Sequence, residues 1–396
     1  MIDRSLFTRP RFDSAPNLPS AAALSLECPK LDPSRNRFTD ATRVVGLYDY
    51  GMQGRIRASR AHALMAAVTA TSAVLPACAG QTPFAAPAPA NVASPQLRAR
   101  PPQLRYSMGK SWMDPVAKSG ALLYVSNLDI PSVLVYNYAT GKLAGEIFGR
   151  SQVEGLCVDK AGNIWIASAG LGKIFEYAHG GAHPIATLRD PNYVPWGCAV
   201  DPTTGDLAVA NDESDSGGPG SISIYKHAAG KPKVYAAPSE LLYLAFVAYG
   251  PDGTLYLDGT TQSGSGRSFG LASFKNGQFT ALSLNPPVPD ARALAVVGSK
   301  LTIADDDNPG APSIDQYTVN GSSATRAGST PLSDAYVVAG FEVVGKTIVI
   351  GDSNGYSGRN GSVLYYAFPG GGSPTKSFTY SPYFIPQAIA VSEVTK

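Results

Sequence analysis

From residue 121 to the C-terminus, apolar and polar positions follow one unit that returns about every 45 residues, the spacing of a four-stranded repeat. Its clearest copies read Gly155-Leu-Cys-Val-Asp159, then Ala161-Gly-Asn163, then Ile164-Trp-Ile-Ala167. The next reads Gly197-Cys-Ala-Val-Asp201, Thr204-Gly-Asp206 and Leu207-Ala-Val-Ala210. Each continues into a strand pattern that ends in an aromatic residue, Tyr177 in one copy and Tyr225 in the next. Short strands separated by turn residues, repeated at this period, predict the blades of a β-propeller. The outer strands alternate as half-buried strands do, whereas inner ones such as Leu294 to Val297 are nearly continuous apolar runs. Such runs predict inner strands packed on both faces by neighbouring blades.

The blades can be counted from their inner strands. These open at Glu154, Trp196, Ala245, Arg292 and Ala339, as blades 2 to 6. Residues 121–147 hold only the later strands of a first blade, and the missing inner strand stands at the far end of the chain, Pro386 to Val391. The expected fold is therefore all-β: a six-bladed propeller over residues 107–396, closed by its C-terminal strand. Closure of this kind pairs edges that would otherwise invite aggregation.

The first 106 residues follow other rules. Residues 1–51 show neither strand alternation nor a helical stripe, and they are expected to be disordered or to precede the natural start at Met52. Met52 is followed by Arg55, Arg57 and Arg60, an uncharged run from Ala63 to Pro76, and the small residues Ala77-Cys-Ala-Gly80. A basic start, an apolar stretch of roughly 7–15 residues and a small-residue exit predict a secretory signal peptide over 52–79. The run is shorter than the ~20 apolar residues of a spanning helix. Leu75-Pro-Ala-Cys78 resembles the lipobox of bacterial lipoproteins, which implies lipidation of Cys78; Pro76 departs from that pattern. Cleavage after Ala79 is the alternative, giving a periplasmic or secreted product. Residues 80–106 are rich in Pro and Ala and lack apolar periodicity, which predicts a linker.

Charge narrows the partners. A formal charge of +2 and the absence of a basic stripe with interleaved aromatics set nucleic acid aside, and a monomer is expected. Four cysteines are too few for a disulfide scaffold. Cys157 and Cys198 sit on adjacent inner strands one register step apart, so they either face each other or point apart. They are expected as buried free thiols.

Gly155 to Asp159 with Ala161 to Ile166 resembles the NHL-repeat and gluconolactonase/senescence-marker group of six-bladed propellers, and also the streptogramin-lyase-like proteins. The resemblance covers residues 121–394. For the lactonases of that group it implies a divalent cation held by Glu, Asn and Asp at the inner-strand entrances. The matching positions here are Gln387, Glu154, Trp196, Ala245, Arg292 and Ala339, and only Glu154 keeps the family acid. No cofactor is therefore expected. If a Ca²⁺ binds, its oxygens would come from the second-strand exits: Asn211, Asp212, Asp305 and Asp306. The competing role for these residues is turn formation, which Asp and Asn favour by bonding nearby backbone.

The same ring gives the candidate ligand site at the channel mouth: Glu154, Trp196, Arg292 and Gln387, with Tyr243 and Tyr336 alongside. Tyr193, Tyr249, Tyr380, Tyr383 and Phe384 add to an aromatic set that suits a docked partner or equally internal packing. His179, His183 and His227 all follow third strands, on the side away from the mouth, so a histidine-dependent hydrolase or lyase is disfavoured. The expectation is an exported, lipid-anchored module of the bacterial cell envelope that binds a protein, peptide or glycan. The alternative is a metal-dependent, lactonase-like hydrolase using Glu154 with Asn211, Asp212, Asp305 or Asp306.

Overall fold

The computed structural model describes residues 109–127, 130–190, 193–214, 218–238, 241–263, 266–288, 291–306, 311–353, 361–379 and 385–393. The signal peptide, Cys78 and the linker lie outside these residues. So do Asp129, Asp307, Asn308, Asn354, Tyr380, Tyr383 and Phe384. Among the described residues no helix is long and apolar enough to cross a membrane.

Six antiparallel blades account for nearly the whole described chain. Blade 1 contains β1 (Trp112–Met113), β2 (Leu122–Asn127), β3 (Ser132–Asn137) and β4 (Leu143–Phe148). Blade 2 is β5 (Val153–Val158), β6 (Ile164–Ser168), β7 (Lys173–Tyr177) and β8 (Pro184–Arg189). Blade 3 is β9 (Tyr193–Val200), β10 (Leu207–Ser214), β11 (Ser221–Tyr225) and β12 (Lys233–Ala236). Blade 4 is β13 (Tyr243–Tyr249), β14 (Leu255–Ser263), β15 (Gly266–Lys275) and β16 (Gln278–Ala281). Blade 5 begins at its outer edge with β17 (Ser283–Asn285), followed by β18 (Ala291–Val297), β19 (Lys300–Asp305), β20 (Ser313–Asn320) and β21 (Ser323–Pro331). Blade 6 is β22 (Val338–Val344), β23 (Thr347–Asp352), β24 (Ser362–Ala367) and β25 (Lys376–Thr379). Last comes β26 (Pro386–Ser392).

The ring closes as the sequence predicts. β26 pairs antiparallel with β2, from Leu122 opposite Ser392 to Asn127 opposite Pro386, and becomes the inner strand of blade 1. The inner strands β26, β5, β9, β13, β18 and β22 then pack one on the next, back to β26. Two short strands had no signal in the repeat. β1 extends blade 1 beyond β4, and β17 adds parallel to β21, so each covers an outer edge that would otherwise be an unpaired ladder.

Every blade-to-blade junction carries its own apolar core. In β2, Leu122 and Tyr124 face blade 2, whereas Leu123 and Val125 face blade 6. Alternation thus splits one fully buried strand between two interfaces. Each such Leu, Ile or Val contributes about 1.5–3 kcal/mol by leaving water. Burial differs from the expectation in one respect. Second strands such as β2 and β6 are buried throughout, while Val158, Val200, Val296, Val297, Val343 and Val344 on inner strands are only half-buried. The inner strand β26 is the exception and is buried throughout.

The six inner strands share one irregularity. Between inner and second strand the register slips by one residue in every blade: at Gln387–Ala388, Glu154, Trp196–Gly197, Ala245–Phe246, Arg292–Ala293 and Ala339. Each slip is a β-bulge, which bends the strand and re-aims a side chain. Small residues beside the bulges are sterically required. A Cβ on Gly155 would lie 2.2 Å from the Trp196 carbonyl oxygen, and one on Gly197 would lie 2.4 Å from that of Ala245.

Cys157 and Cys198 are joined in a disulfide between β5 and β9, contrary to the expectation of free thiols. Neighbouring blades offer opposite sheet faces to their shared interface. The one-step offset between the two cysteines is therefore what brings them face to face.

Deleting Pro386 to Lys396 is expected to make the chain insoluble or strongly destabilised; a truncated chain that melts like the intact one would break the closure argument. Gly155→Ala is expected to cost roughly 1–3 kcal/mol through overpacking, measured by chemical denaturation.

Candidate functional site

The bulges place Gln387, Glu154, Trp196, Ala245, Arg292 and Ala339 at equivalent positions around the channel mouth, in blade order 1 to 6. Their chemistry is uneven. Gln387, Glu154 and Trp196 stand on three consecutive blades, Arg292 stands on the blade opposite Glu154, and alanines flank Arg292.

Glu154 and Gln387 form the polar centre of the first group. Both are almost fully buried, at 4% and 3% exposure. The Gln387 amide donates to the Glu154 carboxylate. Among the described residues, Glu154 Oε2 and Gln387 Oε1 have no hydrogen-bond partner. Burial pushes the Glu154 carboxyl up to about 7, and the nearby Asp212 charge pushes the same way against the Gln387 bond. Trp196 and Asp212 beside them are half-buried.

Arg292 is held by an ion pair. Its Nε lies 3.2 Å from Asp306 Oδ2, and both oxygens of the buried Asp306 accept from the Val338 amide at 3.2 Å. This carboxylate therefore ties blade 5 to the inner strand of blade 6. Tyr336 and Val337 donate backbone N–H groups to Asp352 Oδ1 at 3.2 and 3.0 Å. Tyr243 opens β13 opposite Thr260, and its side chain is half-buried, as is that of Tyr336.

The second-strand exits turn out to be a repeated fastening. Asn127 Oδ1 accepts from the Ile385 amide at 3.2 Å, and Asp258 Oδ1 accepts from that of Phe246 at 2.7 Å. Ser168 Oγ donates to the Ser151 carbonyl at 2.7 Å. With Asp306 and Asp352, these side chains pin the backbone that enters an inner strand, at its bulge or just before it. Asn211 is buried and turned into its own blade, its Nδ2 donating to Ser221 Oγ at 3.0 Å and Ser223 Oγ at 3.1 Å. The four oxygen residues proposed for a cation are thus divided between blade 3 (Asn211, Asp212) and blade 5 (Asp305, Asp306). Among the described residues, no three His, Cys, Asp or Glu side chains stand close enough to hold a metal ion.

Two further acids share the raised carboxyl of Glu154. Burial pushes Asp258 up to about 7 against its bond from the Phe246 amide. Glu342, visible only as a lone polar residue in an apolar strand, accepts from the Val391 amide at 2.7 Å and is also pushed up to about 7 by burial. β26 is therefore gripped from blade 2 through Gln387 and from blade 6 through Val391. The histidines stand elsewhere. His179 contacts Ser392 Oγ at 2.6 Å and the Gly120 carbonyl at 3.1 Å, at the end of β26 away from the mouth, and burial lowers its pKa. His227 lies in a turn, bonded to Asp206 and Thr204.

Set among known structures, this fold is a six-bladed β-propeller. No protein-family model matches the chain, and no match to a curated protein is found. The chain is similar to a structure described as a nidogen/laminin complex, at 14% identity and a TM-score of 0.54, over 70% of this chain and 100% of that one. It is also similar to a protein of unknown function from Bacteroides caccae, at 12% identity and a TM-score of 0.52, over 69% and 99% of the two chains. At these identities the likeness is one of fold.

A pH dependence follows from the three acids. Glu154, Asp258 and Glu342 take up protons more readily folded than unfolded, because their folded values of about 7 exceed the ordinary value of ~4. Their contribution is fully present below about pH 4 and is lost as pH rises through about 7. Asp252, held down to about 2 by its bond from Lys275, acts in the opposite sense only in strong acid. The melting temperature is thus expected to be higher at pH 5.5 than at pH 8. Glu154→Gln should reduce that difference; a profile unchanged by the substitution would count against the assignment.

Proposed function

We propose that the protein is an exported binding module whose channel mouth captures a protein, peptide or glycan in the bacterial cell envelope, and that it is anchored by lipid on Cys78. The observation that carries the binding reading is the set of six aligned bulges. They set one residue per blade at an equivalent position, and three consecutive positions bear an amide, a carboxyl and an indole. Half-buried aromatics with polar neighbours are favoured anchors in binding sites. Arg292, across the ring, adds a cation whose charge is balanced by Asp306.

Export is supported by the signal-like segment over 52–79 and by the Cys157–Cys198 disulfide, since such bonds persist in oxidising compartments. A bond spanning 41 residues contributes about 4 kcal/mol in the chain-entropy account. The family reading (NHL-repeat, gluconolactonase-like) is supported by the six-blade count and by Glu154 at the inner-strand entrance of blade 2. The lactonase alternative requires a bound divalent cation.

Capture from envelope extracts is expected with the wild-type chain and lost with Trp196→Ala; a variant that retains the partner removes the mouth from the mechanism. Cys78→Ala should move the protein from the membrane to the soluble fraction. Melting in excess Ca²⁺ against EDTA is expected to show no shift. Ligand at a hundredfold excess over its dissociation constant adds ~2.7 kcal/mol, so a rise of several degrees would favour the hydrolase instead.

A further inference from the structure

The strongest unexplained feature of the molecule is the pair of buried oxygens, Glu154 Oε2 and Gln387 Oε1. Each belongs to a side chain less than 5% exposed, each lacks a hydrogen-bond partner among the described residues, and the two side chains are bonded to each other. A buried acceptor left unsatisfied costs roughly 1–3 kcal/mol, more when charged. Such a pair therefore points to a donor that completes it. The half-buried Asp212 lies near enough for its charge to act on Glu154. A carboxylate has about four lone-pair sites, so its other contacts do not exhaust it. Trp196 stands at the next ring position, its backbone against Gly155.

We infer that Glu154, Gln387, Asp212 and Trp196 form a subsite for a primary ammonium group, such as a lysine side chain or free amino terminus of a bound peptide. The donor count selects this class. A primary ammonium carries three N–H donors and no acceptor, matching oxygens from Glu154, Gln387 and Asp212. The indole adds a face to which a cation is attracted, worth roughly 0.5–2 kcal/mol. A Ca²⁺ fits less well, because it requires six to eight oxygens and the described residues bring together no three metal-ligating side chains. This inference rests on the mouth being the binding site and names what that site recognises.

The arrangement predicts a linked proton. The groups that act on Glu154 are the uncharged Gln387 from β26 and the Asp212 carboxylate, which follows Asn211 in β10. An incoming ammonium favours the ionised carboxylate, so binding near neutral pH should release a proton and tighten as pH rises from 6 to 8.

The test is calorimetric titration of the full chain with acetyl-Ala-Lys-Ala-amide and with its Nε-acetylated twin. The two peptides are compared in buffers of different ionisation enthalpy. The lysine peptide is expected to bind with proton release, and the acetylated one to fail. Glu154→Gln and Trp196→Ala should each weaken binding, the former roughly ten- to a hundredfold, the effect of losing a hydrogen bond to a charged group. The melting of both variants is followed to show that they fold. Equal binding of the two peptides would overturn the ammonium assignment while leaving the mouth as a binding site. Full affinity in a folded Glu154→Gln variant, or displacement of the peptide by millimolar Ca²⁺, would also overturn it. Binding by neither peptide would mean that the carboxyl is protonated and closed on the Gln387 amide, which ends the assignment. If Trp196→Ala then also retains the envelope partner, the reading of the mouth as a binding site falls with it.

Discussion

The pairing of β26 with β2 is the constraint on which the rest of the molecule depends. Each of the six apolar clusters lies between two blades, and the two that flank blade 1 include β26 residues, Ala388 and Ala390 in one and Ile389 and Val391 in the other, so both are incomplete until the ring closes. Closure joins residues more than two hundred and fifty positions apart, Asn127 opposite Pro386 for instance. Long-range pairing of this kind is slow to find and costly in chain entropy. The chain reinforces it by means other than the ladder. Ser353 Oγ donates to the Pro386 carbonyl at 2.6 Å, Glu342 receives the Val391 amide, and Ser392 donates to the Gly162 carbonyl at 2.5 Å. The strand that closes the ring is thereby tied to blades 2 and 6 as well as to its own.

Closure and the candidate site are the same piece of architecture. Gln387 reaches Glu154 only because β26 occupies the inner position of blade 1, beside β5. Whatever engages that pair therefore also engages the junction between the two ends of the chain. Burying a carboxyl without full compensation is unfavourable, and Glu154, Asp258 and Glu342 all carry that cost. Asp258 and Glu342 each receive a backbone amide in return, whereas Glu154 receives a side-chain amide from another blade. That difference separates the two fastenings from the proposed site.

The bulges explain why the two uses coexist at one level of the ring. Acidic and amide side chains at the second-strand exits take up amides of the inner strands at a bulge, as at Phe246, or just before one, as at Ile385, Val337 and Val338. Acids at the exits are therefore mostly structural, and the bulge positions are chemically diverse within this chain, from alanine to tryptophan.

Much of this was legible in the chain itself. The repeat revealed the strands because alternation and turn chemistry are local. Counting inner strands revealed six blades and the closing role of Pro386 to Val391, because an unfilled position in blade 1 required a partner. The ring Gln387, Glu154, Trp196, Ala245, Arg292 and Ala339 was also readable, since all but Ala245, which is followed by Phe246, precede a small residue where inner strands crowd the axis. The tertiary structure alone decided the partners. It joined Cys157 to Cys198, gave Arg292 to Asp306, turned Asn211 into its own blade and set Glu342 against Val391. Each of these depends on which face a neighbouring blade presents. Sequence periodicity specifies the faces of one strand, but the packing of two blades fixes which faces meet.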